Sequence, residues 1–108
     1  MAGQPNRPFR PVDQATVSIS VTSSSARVAL AATTTEYLLC NLGTDTVFVR
    51  FGDSAITATV PSGAAGGSLP VAAGTVMIVQ APITAPTHVA AIAASTTATL
   101  YITAGEGI

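Results

Sequence analysis

Short runs of alternating apolar and polar residues dominate the chain from residue 15 onward. In the first run Val17, Ile19 and Val21 alternate with threonine and serine, which is the period-2 pattern of a half-buried β-strand. The clearest run covers residues 46–52, in which valines and a phenylalanine at alternate positions form one face. Both runs predict β-strands that turn one face towards a core.

Further runs of the same kind follow one another, separated by turn signals such as Gly43-Thr44-Asp45. A turn every roughly 8–12 residues is typical of a β-sandwich or small barrel. The pattern therefore predicts an all-β domain of eight or nine strands. The predicted strands after the first cover residues 27–31, 36–42, 46–52, 56–60, 69–71, 75–81, 88–93 and 98–103.

Two alanine-rich stretches, residues 26–32 and 90–94, offer a helical alternative, because alanine is the best helix former. Both stretches are short, however, and valine, threonine and isoleucine flank them. These flanking residues favour strands, so we predict strands here as well.

The segment of residues 1–14 differs from the rest of the chain. Its three prolines fix φ, remove backbone donors and favour extended geometry, so the segment is neither a helix nor a good sheet strand. We therefore divide the chain into an extended arm, residues 1–14, and a β-sandwich domain, residues 15–108. The arm is either a disordered terminus or a segment that lies along a partner, with Phe9 as its anchor and Arg7 and Arg10 meeting carboxylates.

The composition narrows the function classes. Only 8% of the residues are charged, none is lysine, and the net charge of −1 gives no electrostatic basis for binding nucleic acid. The mean hydropathy is +0.55, yet polar residues interrupt every apolar run before it could span a membrane, and no secretory signal is apparent. A surface with so few charges favours self-association. We therefore expect much of it to be covered by other protein.

Few residues could carry chemistry. His88 is the only histidine, so a catalytic triad or a Cys–His pair would have to use it, and we interpret it as an ordinary residue at the start of a strand. With Cys40 as the only cysteine, the chain also has too few histidine and cysteine ligands for a typical zinc site. We interpret Cys40 as a buried small hydrophobe and Asp45 and Asp53 as turn residues. The glycine-rich residues 63–67 lack the lysine and the following helix of a phosphate-binding loop. The sequence thus predicts neither an enzyme nor a cofactor.

The strand of residues 46–52 also carries a candidate contact. If Val47, Val49 and Phe51 face the core, Phe48 and Arg50 lie on the outer face. Aromatic and arginine residues are enriched at protein interfaces. Phe48 could instead lie under a loop or under the arm, and both interpretations remain open.

Four short segments carry a family resemblance: NLG at residues 41–43, VFVRFG at 47–52, LPVAAG at 69–74 and LYITAG at 100–105. The series resembles small β-rich virion proteins of tailed bacteriophages, especially the decoration (cement or staple) proteins of epsilon15-like podophages. The resemblance spans about residues 17–107. It implies a small jelly-roll-like β-sandwich on the outside of a capsid, with a terminal arm extending over neighbouring subunits and no catalytic residues.

The leading hypothesis is therefore a capsid decoration protein that bridges major capsid protein subunits and stabilises the head. Its partners are the major capsid protein and neighbouring copies of itself, as a homodimer or homotrimer, with no nucleic acid and no membrane. It is expected on the outer capsid surface after synthesis in the host bacterial cytoplasm. The alternatives are a tail, fibre-base or head-closure component and, as a different class, a carbohydrate-binding adsorption module. The candidate partner contacts are Arg7, Phe9, Arg10, Phe48 and Arg50.

Overall fold

The alternating runs of the sequence become strands almost everywhere. The structure, a computed structural model, describes residues 9–63, 66–81 and 83–106, which fold into eight β-strands without an α-helix. The all-β prediction is confirmed, and the described part of the chain has no helix long and apolar enough to cross a membrane. The strands are β1 (Arg10–Val21), β2 (Ala26–Ala29), β3 (Glu36–Asn41), β4 (Val47–Gly52), β5 (Leu69–Val71), β6 (Val76–Gln80), β7 (His88–Ala93) and β8 (Ala98–Glu106).

The strands form two four-stranded antiparallel sheets that pack as a sandwich. Sheet A has the order β1-β8-β3-β6 and sheet B the order β2-β7-β4-β5. Strand β1 pairs with β8, β2 with β7, β3 with β6 and β4 with β5. This nested pairing is that of one long antiparallel ribbon rolled up on itself, which is the jelly-roll arrangement.

The core lies between the inner faces of the two sheets. On sheet A the fully buried residues include Leu39, Leu100 and Ile102. They belong to one hydrophobic cluster with the buried Val49 and Val89 of sheet B. Alanines fill several of the remaining core positions, which suits a small sandwich whose inner faces lie about 10 Å apart. The inner positions Val47, Val49 and Phe51 of β4 are buried as the sequence predicts.

The boundary of the arm differs from the prediction. Residues 10–14 belong to β1, and Arg10 and Pro11 pair with Glu106 and Gly105 of β8. A proline is tolerated there because β1 lies at the edge of sheet A. A register shift follows between Pro11 and Thr16, and Gln14 has a φ of 59°, as in a β-bulge. The prediction that residues 10–14 make a poor sheet strand was therefore wrong, while residues 1–8 lie outside the described residues.

One predicted strand is absent from the described residues, because residues 56–60 form part of a long loop between β4 and β5. Two serine side chains bind the backbone in the middle of this loop. Ser68 Oγ accepts a hydrogen bond from Thr59 N–H at 3.1 Å, and Ser25 Oγ accepts one from Ala58 N–H at 2.9 Å. These side-chain partners take the place of a neighbouring strand.

Candidate interaction surface

The outer face of sheet A carries an apolar patch exposed to solvent. It arises because β3 and β6 are apolar on both faces. On β3, Tyr37 and Leu39 point into the core, whereas Leu38 and Cys40 alternate with them and point outward. Such exposure is unusual, since antiparallel strands normally turn polar residues to water. We call this surface the outer patch. Its members are Leu38, Cys40, Leu42, Val76, Ile78 and Tyr101.

Strand register places these side chains in two adjacent rows. One row runs from Tyr101 through Cys40 to Val76, and the next joins Leu38 to Ile78. Neighbours across paired strands lie about 5 Å apart, so the members form one continuous surface. Val76 is 59% exposed and Ile78 50%. The same rows continue onto β1 as serine and threonine, so the two rows contain no charged residue.

Leu42 extends the outer patch beyond the end of β3. It is 65% exposed and lines a shallow groove together with Tyr101 and hydroxyl residues such as Ser20 and Thr99. The groove contains no acidic residue and no histidine. It therefore adds polar hydrogen-bonding groups at the rim of an apolar surface, an arrangement typical of protein interfaces.

The outer face of sheet B is different, because the chain covers part of it. The loop between β4 and β5 crosses towards β2, where Arg27 Nη1 donates a hydrogen bond to the carbonyl of Ile56 at 3.1 Å. Ala90 lies in register between Arg27 and Arg50 on this outward face, yet it is fully buried, and Ala58 of the loop is buried too. Only sheet A is thus left with a largely open apolar face in the described part of the chain.

The structure separates the predicted contact residues into two groups. Phe48 is half-buried on the outer face of sheet B, in register with Pro70 and Ile92, and Arg50 beside it is exposed. Phe9 and Arg10 lie at the start of β1, in the other sheet. Since the groups are on different sheets, they do not form one surface, and Arg7 lies outside the described residues.

Phe9 has a partner within its own domain. Its ring lies so close to Gly105 that even a methyl group on that glycine would contact it and the carbonyl oxygen of Arg10. Arg10 in turn stands opposite Glu106 in the β1–β8 ladder, a pairing of opposite charges that favours strand association. The Phe9 ring therefore packs against β8 at the beginning of β1, where the strand register also places Arg10 opposite Glu106.

The side chains that could act as a nucleophile, a base or a metal ligand lie in different parts of the fold. Cys40 is half-buried on the outer face of sheet A, so its prediction as a buried hydrophobe was wrong. His88 lies in sheet B, where its Nδ1 is 2.9 Å from the hydroxyl of Thr87. Cys40 and His88 belong to opposite sheets and do not form a dyad. Among the described residues no three histidine, cysteine, aspartate or glutamate side chains cluster as a metal site.

Asp45 connects two loops at one end of the sandwich. Its Oδ2 accepts hydrogen bonds from the N–H groups of Thr96 at 2.7 Å and Ser95 at 2.8 Å. These hydrogen bonds, of which the one from Thr96 has the largest effect, hold the pKa of the Asp45 carboxyl below its ordinary value. Desolvation of the carboxyl acts in the opposite direction and raises the pKa. Since the pKa is lower in the folded state, this stabilisation is present above the ordinary carboxyl pKa and is lost as the pH falls through the lowered pKa. The residue predicted to form a turn therefore also joins the β3–β4 loop to the β7–β8 loop.

No protein-family model and no curated protein matches this chain. Among solved structures, the chain is similar to a protein from work on Bacillus endospore appendages, described as a novel family of disulfide-linked pili. The sequences are 18% identical, the match covers 100% of this chain and 97% of the other, and the TM-score is 0.48. At this similarity the match carries no argument about the chain's function.

Proposed function

We propose that this protein is a non-catalytic structural subunit that decorates the outer surface of a bacteriophage capsid and bridges major capsid protein subunits. The observation that carries the proposal is the outer patch, a continuous apolar surface on a sheet that the described chain leaves open. Monomeric soluble proteins rarely leave such a surface uncovered, and a contiguous apolar patch usually marks an interaction site.

The charge content supports the same proposal. With 8% charged residues and a net charge of −1, little electrostatic repulsion opposes close packing of many copies. Attachment by an apolar patch is weak for one copy, but copies that contact several shell subunits and one another bind with high avidity. The proposed partners are accordingly the major capsid protein and other copies of this chain, and the proposed location is the outer capsid surface.

The capsid as the particular assembly rests on the sequence resemblance to phage decoration proteins. A tail or head-closure component would use the same patch, and it differs in the number of copies in each particle. A carbohydrate-binding module has less support, because such sites stack sugars on exposed aromatic rings. Tyr37 and Phe51 are buried in the core, and Tyr101 is 37% exposed.

Placing a charge in the outer patch tests the proposal. Tyr101 lies on β8, two strands away from the β6 edge, so Tyr101→Asp changes the patch without touching that edge. We expect the variant to bind capsids that lack the chain about 30-fold more weakly than the wild type, because docking would bury an unpaired carboxylate. Co-sedimentation with the capsids measures the occupancy at a series of protein concentrations.

Ser54→Asp is the matched control, since it adds the same charge to an exposed residue of the loop beside sheet B. We expect it to bind capsids like the wild type. Thermal unfolding of both variants verifies that each is folded before binding is compared. If Tyr101→Asp occupied capsids as well as Ser54→Asp does, the outer patch would not be the attachment surface.

A further inference from the structure

The open edge of β6 is unlike the other three sheet edges. Edge strands normally carry a device that prevents pairing with another chain, such as a proline, a charge, a bulge or a very short length. Strand β1 has Pro11 and a register shift, β2 has four residues including Arg27, and β5 has three residues including Pro70. Strand β6, with the sequence VMIVQ, has none of these devices.

The hydrogen bonds that flank β6 determine which backbone groups face outward. Asn41 N–H donates to the carbonyl of Thr75 and Ala81 N–H to that of Thr35, each at 2.9 Å. Antiparallel residue pairs alternate between hydrogen-bonded and non-hydrogen-bonded. Counting the residue pairs inward from these two hydrogen bonds gives the same result from either end of β6. The backbone groups of Met77 and Val79 bond to β3. The N–H and C=O groups of Val76, Ile78 and Gln80 therefore point away from β3.

In the described chain no other backbone group bonds to these outward groups. Unsatisfied backbone groups along an apolar strand are the recognition surface used in strand addition. The strand sequence also suits a partner of its own kind. With Ile78 at its centre and no charged residue, an antiparallel copy would meet no like-charge repulsion.

We infer that two copies of this chain pair through β6, antiparallel and about a two-fold axis at Ile78. In this register Ile78 faces Ile78 of the second copy, and Val76 faces Gln80 of the second copy in each direction. All of these are residues with outward backbone groups, so each facing pair exchanges two hydrogen bonds. The interface is isologous and closes after two subunits.

Pairing about this axis keeps the outer faces of both copies on the same side. The two four-stranded sheets A become one continuous eight-stranded sheet, and the two outer patches meet across the two-fold axis. The dimer would thus present one doubled apolar surface. The inference concerns the purified chain alone and does not depend on attachment to a capsid, so its failure is distinguishable from failure of the proposed function.

The variant Ile78→Pro tests the inference because it removes an outward N–H that β3 does not use. Proline is tolerated on an edge strand when the missing N–H faces solvent, so the fold should be retained. The dimer loses the two central hydrogen bonds, and we expect its dissociation constant to rise about 30-fold. Sedimentation velocity over a range of concentrations measures this constant for the full chain.

Ile78→Thr is the control, because it keeps the N–H and the β-branched shape while making the side chain less apolar. We expect it to remain dimeric at concentrations where Ile78→Pro is monomeric. Equal weakening in both variants would show that side-chain contacts, and not strand pairing, hold the copies together, which would overturn the inference.

Hydrogen exchange of the wild-type protein supplies a test that does not depend on a variant folding. The amides of Val76, Ile78 and Gln80 should exchange more slowly as the protein concentration rises through the dissociation constant. The amides of Met77 and Val79, which already bond to β3, should show little change. A wild-type chain that stays monomeric up to about 100 μM, or that forms open-ended polymers, would contradict the closed dimer.

Discussion

Replacing Tyr37 with alanine should lower the free energy of unfolding by about 3–5 kcal/mol. Tyr37 is fully buried in β3, and its ring packs at 5.1 Å from that of Phe51, joining the two sheets. Alanine removes this ring from the centre of a core in which alanines already occupy many positions. Few neighbouring side chains are long enough to fill the cavity, so the loss should lie in the upper part of the range for buried aromatic residues.

Tyr37→Phe separates the contribution of the ring from that of the hydroxyl. The hydroxyl accepts a hydrogen bond from Thr34 N–H at 3.1 Å and donates one to the carbonyl of Ala32 at 3.3 Å. Phenylalanine keeps the ring and loses both bonds, at a cost of about 1–2 kcal/mol. Urea unfolding followed by circular dichroism measures both variants. A loss below about 1 kcal/mol for Tyr37→Ala would contradict the placement of this ring in the core.

Asn41→Ala should lower the free energy of unfolding by about 3 kcal/mol, although the residue is polar. Asn41 is fully buried at the end of β3. Its Nδ2 donates to the carbonyls of Asp45 at 2.9 Å and Val71 at 3.0 Å, and its Oδ1 accepts from Gly43 N–H at 2.9 Å. The side chain thus joins the β3–β4 turn to β5 in the other sheet, and its removal leaves buried backbone groups without partners.

Asn41→Asp tests whether the two donated bonds are the important ones. Aspartate keeps the shape and the acceptor for Gly43, but it places one carboxylate oxygen, in the position of Nδ2, against the carbonyl oxygens of Asp45 and Val71. At neutral pH we expect a loss at least as large as that of the alanine variant, measured by the same urea unfolding. If either variant had the same urea midpoint of unfolding as the wild type, Asn41 would not be holding the turn to the opposite sheet.

The alternation of residue types was sufficient to predict most strands, because each strand has one face in the core. Residues 88–93 were predicted without error as β7, and the inner face of β4 was identified correctly. The prediction of a strand at residues 56–60 was wrong, because these β-favouring residues lie in a loop that is bound by the side chains of Ser25 and Ser68. Neither serine is adjacent in sequence to the residue it holds, so local pattern does not contain this information.

The candidate surface was not predicted, for a similar reason. Alternation along the predicted strand of residues 36–42 places Leu38, Cys40 and Leu42 on one face. Which face is covered, however, depends on distant parts of the chain. The loop between β4 and β5 covers part of sheet B, and the described residues place no comparable segment over sheet A. The sequence does show that β3 and β6 carry apolar residues on both faces. This pattern does not by itself identify an exposed surface, because a strand buried on both faces has the same pattern.

The central proposal requires that a phage encodes this chain, and its most direct test is the number of copies of the chain in purified virions of such a phage. Quantitative mass spectrometry with isotope-labelled peptides gives its ratio to the major capsid protein. The proposal predicts a ratio of one, or a simple fraction of one, with the chain released only under conditions that also disturb the shell. A handful of copies per particle would place the protein in the tail or head closure, and its absence from virions would contradict a structural role there.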